Sequence, residues 1–268
     1  MPFIYPAKFS DKEFTANDIA VSTLEGLNIN LDASISTSIR SGASVAVDGD
    51  PVTSFNDQSG NNYHATQATS ANMPEYQATG WSGLPCVAFD PLDDYLSFLD
   101  AGALALANAA DGLTIIHVAD LTLDGAYRQV FGIQAPNPYH ERFSYFLNSY
   151  GMQQRLFMAG RLDADTQATL TSTGAVCAGG KTVESISIDY CSGAAHICRN
   201  GVVLAENSTM GTMNGKTSAT APNYWRIGND SGGANQKVAQ HIVVTRYMSK
   251  LEIELYHKHL MTKWGIDW

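Results

Sequence analysis

Residues 55–96 read FNDQSGNNYHATQATSANMPEYQATGWSGLPCVAFDPLDDYL, and the reading of the whole chain turns on them. Asp57-Gln58-Ser59-Gly60-Asn61-Asn62 is a run of residues that tolerate left-handed backbone and bond their own main chain. Such a run makes a tight, self-bonded corner. Leu84-Pro85-Cys86-Val87-Ala88-Phe89-Asp90 then reads as a buried strand. Pro91 stops it, and Asp93-Asp94-Tyr95-Leu96 restarts the chain in a new direction.

Working upstream, Leu27, Ile29 and Leu31 alternate with Asn28, Asn30 and Asp32, the pattern of a half-buried strand. Ser34 to Gly49 is a Ser/Gly-rich loop, and Val52 to Phe55 leads into the corner. Residues 1–22 lack this periodicity. Phe3, Ile4, Tyr5, Phe9 and Phe14 are set among Pro2, Pro6 and charges, as in an extended arm that buries its aromatics on a partner or on its own domain.

Downstream, Ala101 to Ala110 reads as a short helix or turn, and Leu113 to Leu121 as a core strand. Further strands are expected at Arg128–Gln134, Phe143–Asn148, Gln154–Ala159, Tyr224–Gly228 and Val238–Tyr247. Val183 to Tyr190 alternates so that one face is mostly polar. Asn200-Gly201 between His196–Arg199 and Val202–Ala205 predicts a hairpin with a type I′ turn. That makes about twelve strands. One helix follows: Ser249 and Glu252 form a capping box, Ile253, Tyr256, His257, Leu260 and Trp264 share a face, and Gly265 is placed to end it.

Three separated motifs resemble the LamG-like members of the concanavalin A-like lectin/glucanase superfamily. In the central stretch Asp57 to Asn61, His64 to Gln67, Gly83, Pro85, Phe89-Asp90 and Asp93 to Leu96 match that signature, with Phe55 for the usual Trp and Leu92 where Gly is common. Leu27 to Ser34 is similar to the family's first strand, with Asn30 where Trp is frequent, and the Ser249-to-Ile266 segment to its final helix. The resemblance implies an all-β, two-layer antiparallel jelly-roll sandwich over residues 23–268 with one C-terminal α-helix, preceded by the 1–22 arm. Such domains are frequent in bacterial surface proteins and phage virion proteins, so it also implies those settings.

Net charge is −10, with 16 basic residues scattered along the chain, so nucleic-acid binding through a basic face is not expected. No apolar run is long enough to span a membrane. The N-terminus lacks a basic region followed by an apolar run, so a chain that folds in a cytosol is expected. Cys86 reads as a core residue; Cys191 and Cys198 flank a hairpin turn, and whether they are bonded stays open.

Glucanases of the superfamily carry paired carboxylates in an E-x-D-x-x-E strand. None of the eight glutamates here has Asp two positions on. The seven histidines read as surface or satisfied residues, not as ligands. No cofactor is required, though Asp57, Asn61, Asp90, Asp93 and Asp94 could supply oxygens to Ca²⁺; alternatively they cap backbone N–H groups in turns. Tyr63, Trp81 and Trp225 could stack on sugar rings, or could form the half-buried rim of the sandwich.

The leading expectation is a non-enzymatic virion protein, part of a capsid decoration, fibre or tail. Its partners would be other virion proteins, copies of itself and host glycans. The alternatives are a carbohydrate-binding module of a bacterial surface protein and, disfavoured by the carboxylate pattern, a glycoside hydrolase.

Overall fold

The computed structural model describes residues 20–108, 110–122, 126–134, 141–148, 154–161, 166–172, 179–208, 210, 224–229 and 233–267. The arm residues Phe3, Ile4, Tyr5, Phe9 and Phe14 lie outside them. Two antiparallel sheets stack as a sandwich, closed by a helix at the C-terminal end.

The first sheet contains β1 (Leu27–Asp32), β6 (Glu75–Trp81), β7 (Leu84–Phe89), β9 (Gly112–Thr122), β14 (Gly180–Asp189), β15 (Ala195–Arg199), β16 (Val202–Asn207) and β18 (Asn235–Val244). Its order is β16-β15-β14-β9-β18-β7-β6, with β1 also paired to β18. The second sheet runs in the order β13-β12-β11-β10-β17-β8-β5-β4-β2-β3. Its members are β2 (Ile39–Ser41), β3 (Ser44–Val45), β4 (Ser54–Phe55), β5 (Ala65–Thr66), β8 (Tyr95–Phe98), β10 (Tyr127–Gln134), β11 (Glu141–Asn148), β12 (Gln154–Arg161), β13 (Thr166–Thr171) and β17 (Tyr224–Gly228).

The described residues thus hold eighteen strands where sequence alone predicts about twelve. Much of the surplus is β2 to β5, each two or three residues long and too short to show an alternation. The Asn200-Gly201 turn has φ of 47° and 80°, both left-handed as a type I′ turn requires. Helix α1 (Ala101–Ala105) is shorter than the Ala-rich run suggested; Asp100 Oδ1 caps it by accepting Gly102 and Ala103 N–H. Helix α2 (Lys250–Trp264) has the expected capping box, and Gly265 ends it at φ 60°.

The interior is aromatic on one side and partly polar on the other. Phe98, Phe131, Tyr145 and Trp225 of the second sheet are fully buried. Facing them, Glu184, His117 and His241 sit in one cross-strand row of the first sheet, also fully buried. Tyr145 Oη donates to Glu184 Oε2 across the sandwich. Gln236 Nε2 donates to Val130 O, so Gln236 Oε1 accepts from His117 Nε2–H at 2.9 Å. His117 Nδ1 then accepts from His241 Nδ1–H at 3.0 Å, which leaves His241 Nε2 as a buried lone pair without a partner. Burial lowers the His117 pKa to about 4 against the Gln236 bond and the Glu184 charge, and holds His241 well below its ordinary value.

The polar face of β14 does not meet solvent. Ser185 and Ser187 are fully buried beneath α2 and the segment leading into it. Cys86 and Cys198 are free thiols: Cys198 is buried in β15 opposite Ser185, while Cys191 is exposed in the turn before it.

Candidate functional site

Asp57 is a structural clasp. Oδ1 accepts Asn30 N–H at 2.8 Å and Ser59 N–H at 2.9 Å; Oδ2 accepts the Ser59 hydroxyl at 2.7 Å and Tyr63 N–H at 3.1 Å. Asn61 Nδ2 donates to Asn28 O at 3.0 Å, tying the corner to β1 again. With both Asp57 oxygens doubly used and the residue 7% exposed, this half of the expected calcium set caps backbone instead. Tyr63 is half-buried and packs against the core, its hydroxyl filling the space where a side chain at Gly102 would stand.

The other half stays together in the turn after β7. One carboxylate oxygen each from Asp90, Asp93 and Asp94 can lie within 4.8 Å of the others. Asp90 Oδ1 accepts Leu92 and Asp93 N–H, and Asp94 Oδ2 accepts Asp90 N–H at 2.8 Å. Asp90 Oδ2, Asp94 Oδ1 and the Asp93 carboxylate are the atoms that could face a cation. Burial, then the neighbouring charges of Asp90, Asp93 and Glu75, raise the Asp94 pKa to about 6 against its backbone hydrogen bond.

The two tryptophans expected on the rim are core residues. Trp81 is fully buried; its Nε1 donates to Trp264 O at 2.8 Å, and its ring meets Trp264 edge-on with centroids 6.0 Å apart. Trp225 is fully buried on the inner face of β17, its ring centroid 5.4 Å from that of Phe98. Neither presents a face to a sugar. Trp81 lies against Trp264 of α2 and Trp225 against the ring of Phe98 inside the sandwich, placements that composition alone does not reveal.

The alternation that buries Trp225 and Ile227 turns Tyr224 and Arg226 to the outer face of the second sheet. There the Arg226 guanidinium lies 4.0 Å from the Tyr224 ring centroid and 4.1 Å from that of Tyr95 on the neighbouring strand β8. All three are half-buried. Gly132 stands opposite Arg226 on β10, and the Gln129 side chain fills the space a side chain at Gly132 would need. The outcome is two tyrosine rings bracketing a cation on the outer side of the second sheet, beside the Asp90–Asp94 turn. The signal was legible as Tyr224-x-Arg226 flanking Trp225, but Tyr95 joins it only through the β8–β17 pairing.

No protein-family model matches the chain, and no curated protein matches it. Solved structures do. Trypanosoma rangeli sialidase superposes with a TM-score of 0.56 at 13% identity, over 89% of this chain and 33% of its own. A leech intramolecular trans-sialidase gives 0.52 at 14% identity, over 64% of this chain and 26% of that one. The CBM40 of a Ruminococcus gnavus sialidase gives 0.49 at 13% identity, over 63% and 95%. The chain spans about a third of the length of the first of these, and the likeness is one of fold: a two-sheet antiparallel β-sandwich.

Proposed function

We propose that this chain is a non-catalytic, lectin-like sandwich whose glycan seat is the outer face of the second sheet at Tyr95, Arg226 and Tyr224. The observation that carries the reading is the bracketing of Arg226 by the two tyrosines at 4.0 and 4.1 Å. Tyrosines stiffened in this way offer apolar edges and phenolic hydroxyls to a sugar at little cost in side-chain entropy. Catalysis is not part of the proposal. One oxygen each of Asp90 and Asp94 is engaged by their own turn, and no glutamate has the glucanase spacing.

The test is a glycan array probed with the full chain, with Tyr95→Ala and Tyr224→Ala, and with Tyr63→Ala as a control. Binding lost at least about tenfold in the first two and kept in the third supports the seat. Absence of any bound glycan, or binding indifferent to Tyr95 and Tyr224, overturns it. Release of reducing ends from β-glucans, agarose or carrageenan would overturn the non-catalytic part. For setting, the reading is display on a phage particle, one of the two settings the motif in residues 57–96 implies, with residues 1–22 as the attachment arm. Deleting residues 2–14 should then leave a folded sandwich that no longer assembles.

A further inference from the structure

Helix α2 is fastened to the first sheet by hydrogen bonds as well as by the buried side chains of Ile253, Leu260, Met261 and Trp264. Just before the helix, Met248 N–H is shared by Ser187 Oγ at 2.9 Å and Thr114 Oγ1 at 3.1 Å. At its end, Lys263 Nζ and Trp264 Nε1 both donate to Gln240 Oε1, and Lys263 pairs with Asp32. Midway, fully buried His257 spans two elements. Its Nδ1 accepts Gly201 N–H at 2.9 Å, so its Nε2 carries the proton and donates to Ser185 Oγ at 2.9 Å.

We infer that α2 is an acid-released latch, in which protonation of His257 lifts the helix from β14 and β15 while the sandwich stays folded. A second proton has one place to go, Nδ1, which already faces the Gly201 N–H. Two donors would then oppose each other in a site without solvent, and opening the helix relieves this.

The surroundings offer the imidazolium little help. From β14, the charge of Glu184 reaches it, but Glu184 lies on the inner face with Tyr145 and Arg199. From β15 come Cys198, a thiol with its pKa raised to about 12 by burial, and His196, neutral with its pKa lowered to about 4 by burial and then by Lys250. From β16, Glu206 is bound to Lys250 at 2.6 Å, and Tyr247 contacts His196. Burial accordingly holds the His257 pKa at about 3, with Glu184 opposing and His196 reinforcing the shift.

An exposed histidine titrates near 6.5. The docked state is therefore at full strength above that pH. Below it, the ratio of docked to released helix falls by up to about tenfold per pH unit until about pH 3. Release ahead of unfolding follows from position. His257 lies on the outer face of the first sheet, whereas His117 and His241 lie between the sheets and are reached only when the sheets part. The sheet surface beneath α2 includes Ser185, Ser187 and His196, which water rewets at low cost.

Hydrogen exchange of the full chain, followed from about pH 7.5 to about pH 4 and corrected for intrinsic rates, tests this. Amides of α2 should lose protection at a higher pH than those of β9 and β14. His257→Gln, whose amide can accept from Gly201 and donate to Ser185, should keep α2 docked to a pH at least about one unit lower. Opening of α2 and β9 in one transition overturns the inference, as does release of His257→Gln at the wild-type pH. The wild-type profile decides even if the variant does not fold.

Discussion

The two aspartate corners use the same chemistry to opposite ends. At Asp57 one carboxylate accepts four hydrogen bonds and joins the 57–63 turn to β1. At Asp90–Asp94 three carboxylates crowd one turn, and the most buried of them, Asp94, has its pKa raised to about 6. A lone acid surrounded by donors stabilises a fold, whereas acids gathered together repel and keep oxygens to spare. The density of acidic residues does not separate the two cases; the number of donors facing each oxygen does.

The largest expected effect is at the closed corner. Asp57→Ala strands three backbone donors, one of them fully buried, and should cost about 3 kcal/mol in urea unfolding, with Asp57→Asn recovering part of it. A loss below about 1 kcal/mol would show that the β1 pairing with β18 holds this region without the clasp.

A smaller effect of opposite sign is expected at the crowded corner. A carboxyl whose folded pKa is raised favours its protonated form, so the stability tied to Asp94 is full below about pH 4 and lost as pH rises through about 6. Asp94→Asn keeps an oxygen for Asp90 N–H and removes the charge. It should be close to neutral at about pH 4 and stabilising by about 1 kcal/mol at about pH 7.5, solvent screening having reduced the full figure. Equal effects at both pH values would mean that neither burial nor the neighbouring charges raise the Asp94 pKa.

Calcium should move the molecule least. At about 10 mM Ca²⁺ a rise of about 1 °C in Tm is expected, abolished by Asp93→Asn and kept in Ser59→Ala. The reverse pattern would return Asp57 to metal binding and erase the contrast between the corners.

Much of the fold was open to reading from local pattern. The Asn200-Gly201 turn and the Ser249/Glu252 capping box each form by contacts within a few residues and stand where expected, and the Leu27–Leu31 alternation marks a real strand, though distant β18 pairs with it and buries Asn30 and Asp32 as well. The candidate site was far less open. Tyr63, Trp81 and Trp225 were read as rim aromatics by residue type, and two of the three are core, because burial depends on what covers a strand from the far side. Of the histidines, expected to be surface or satisfied groups, His117 and His257 are buried with both ring nitrogens bonded, whereas buried His196 Nε2 and His241 Nε2 have no partner among the described residues.

By itself the sequence determined the class of fold, the closing helix with both its caps, and the turns, since periodicity, capping and left-handed backbone are short-range properties. Only the tertiary structure decided which carboxylates are spent and which keep free oxygens. It also decided which aromatics reach the outer sheet face, and that the polar side of β14 lies under α2. Those depend on pairings between residues far apart in the chain, such as Tyr95 with Gly228 and Ser185 with His257, which no local pattern encodes.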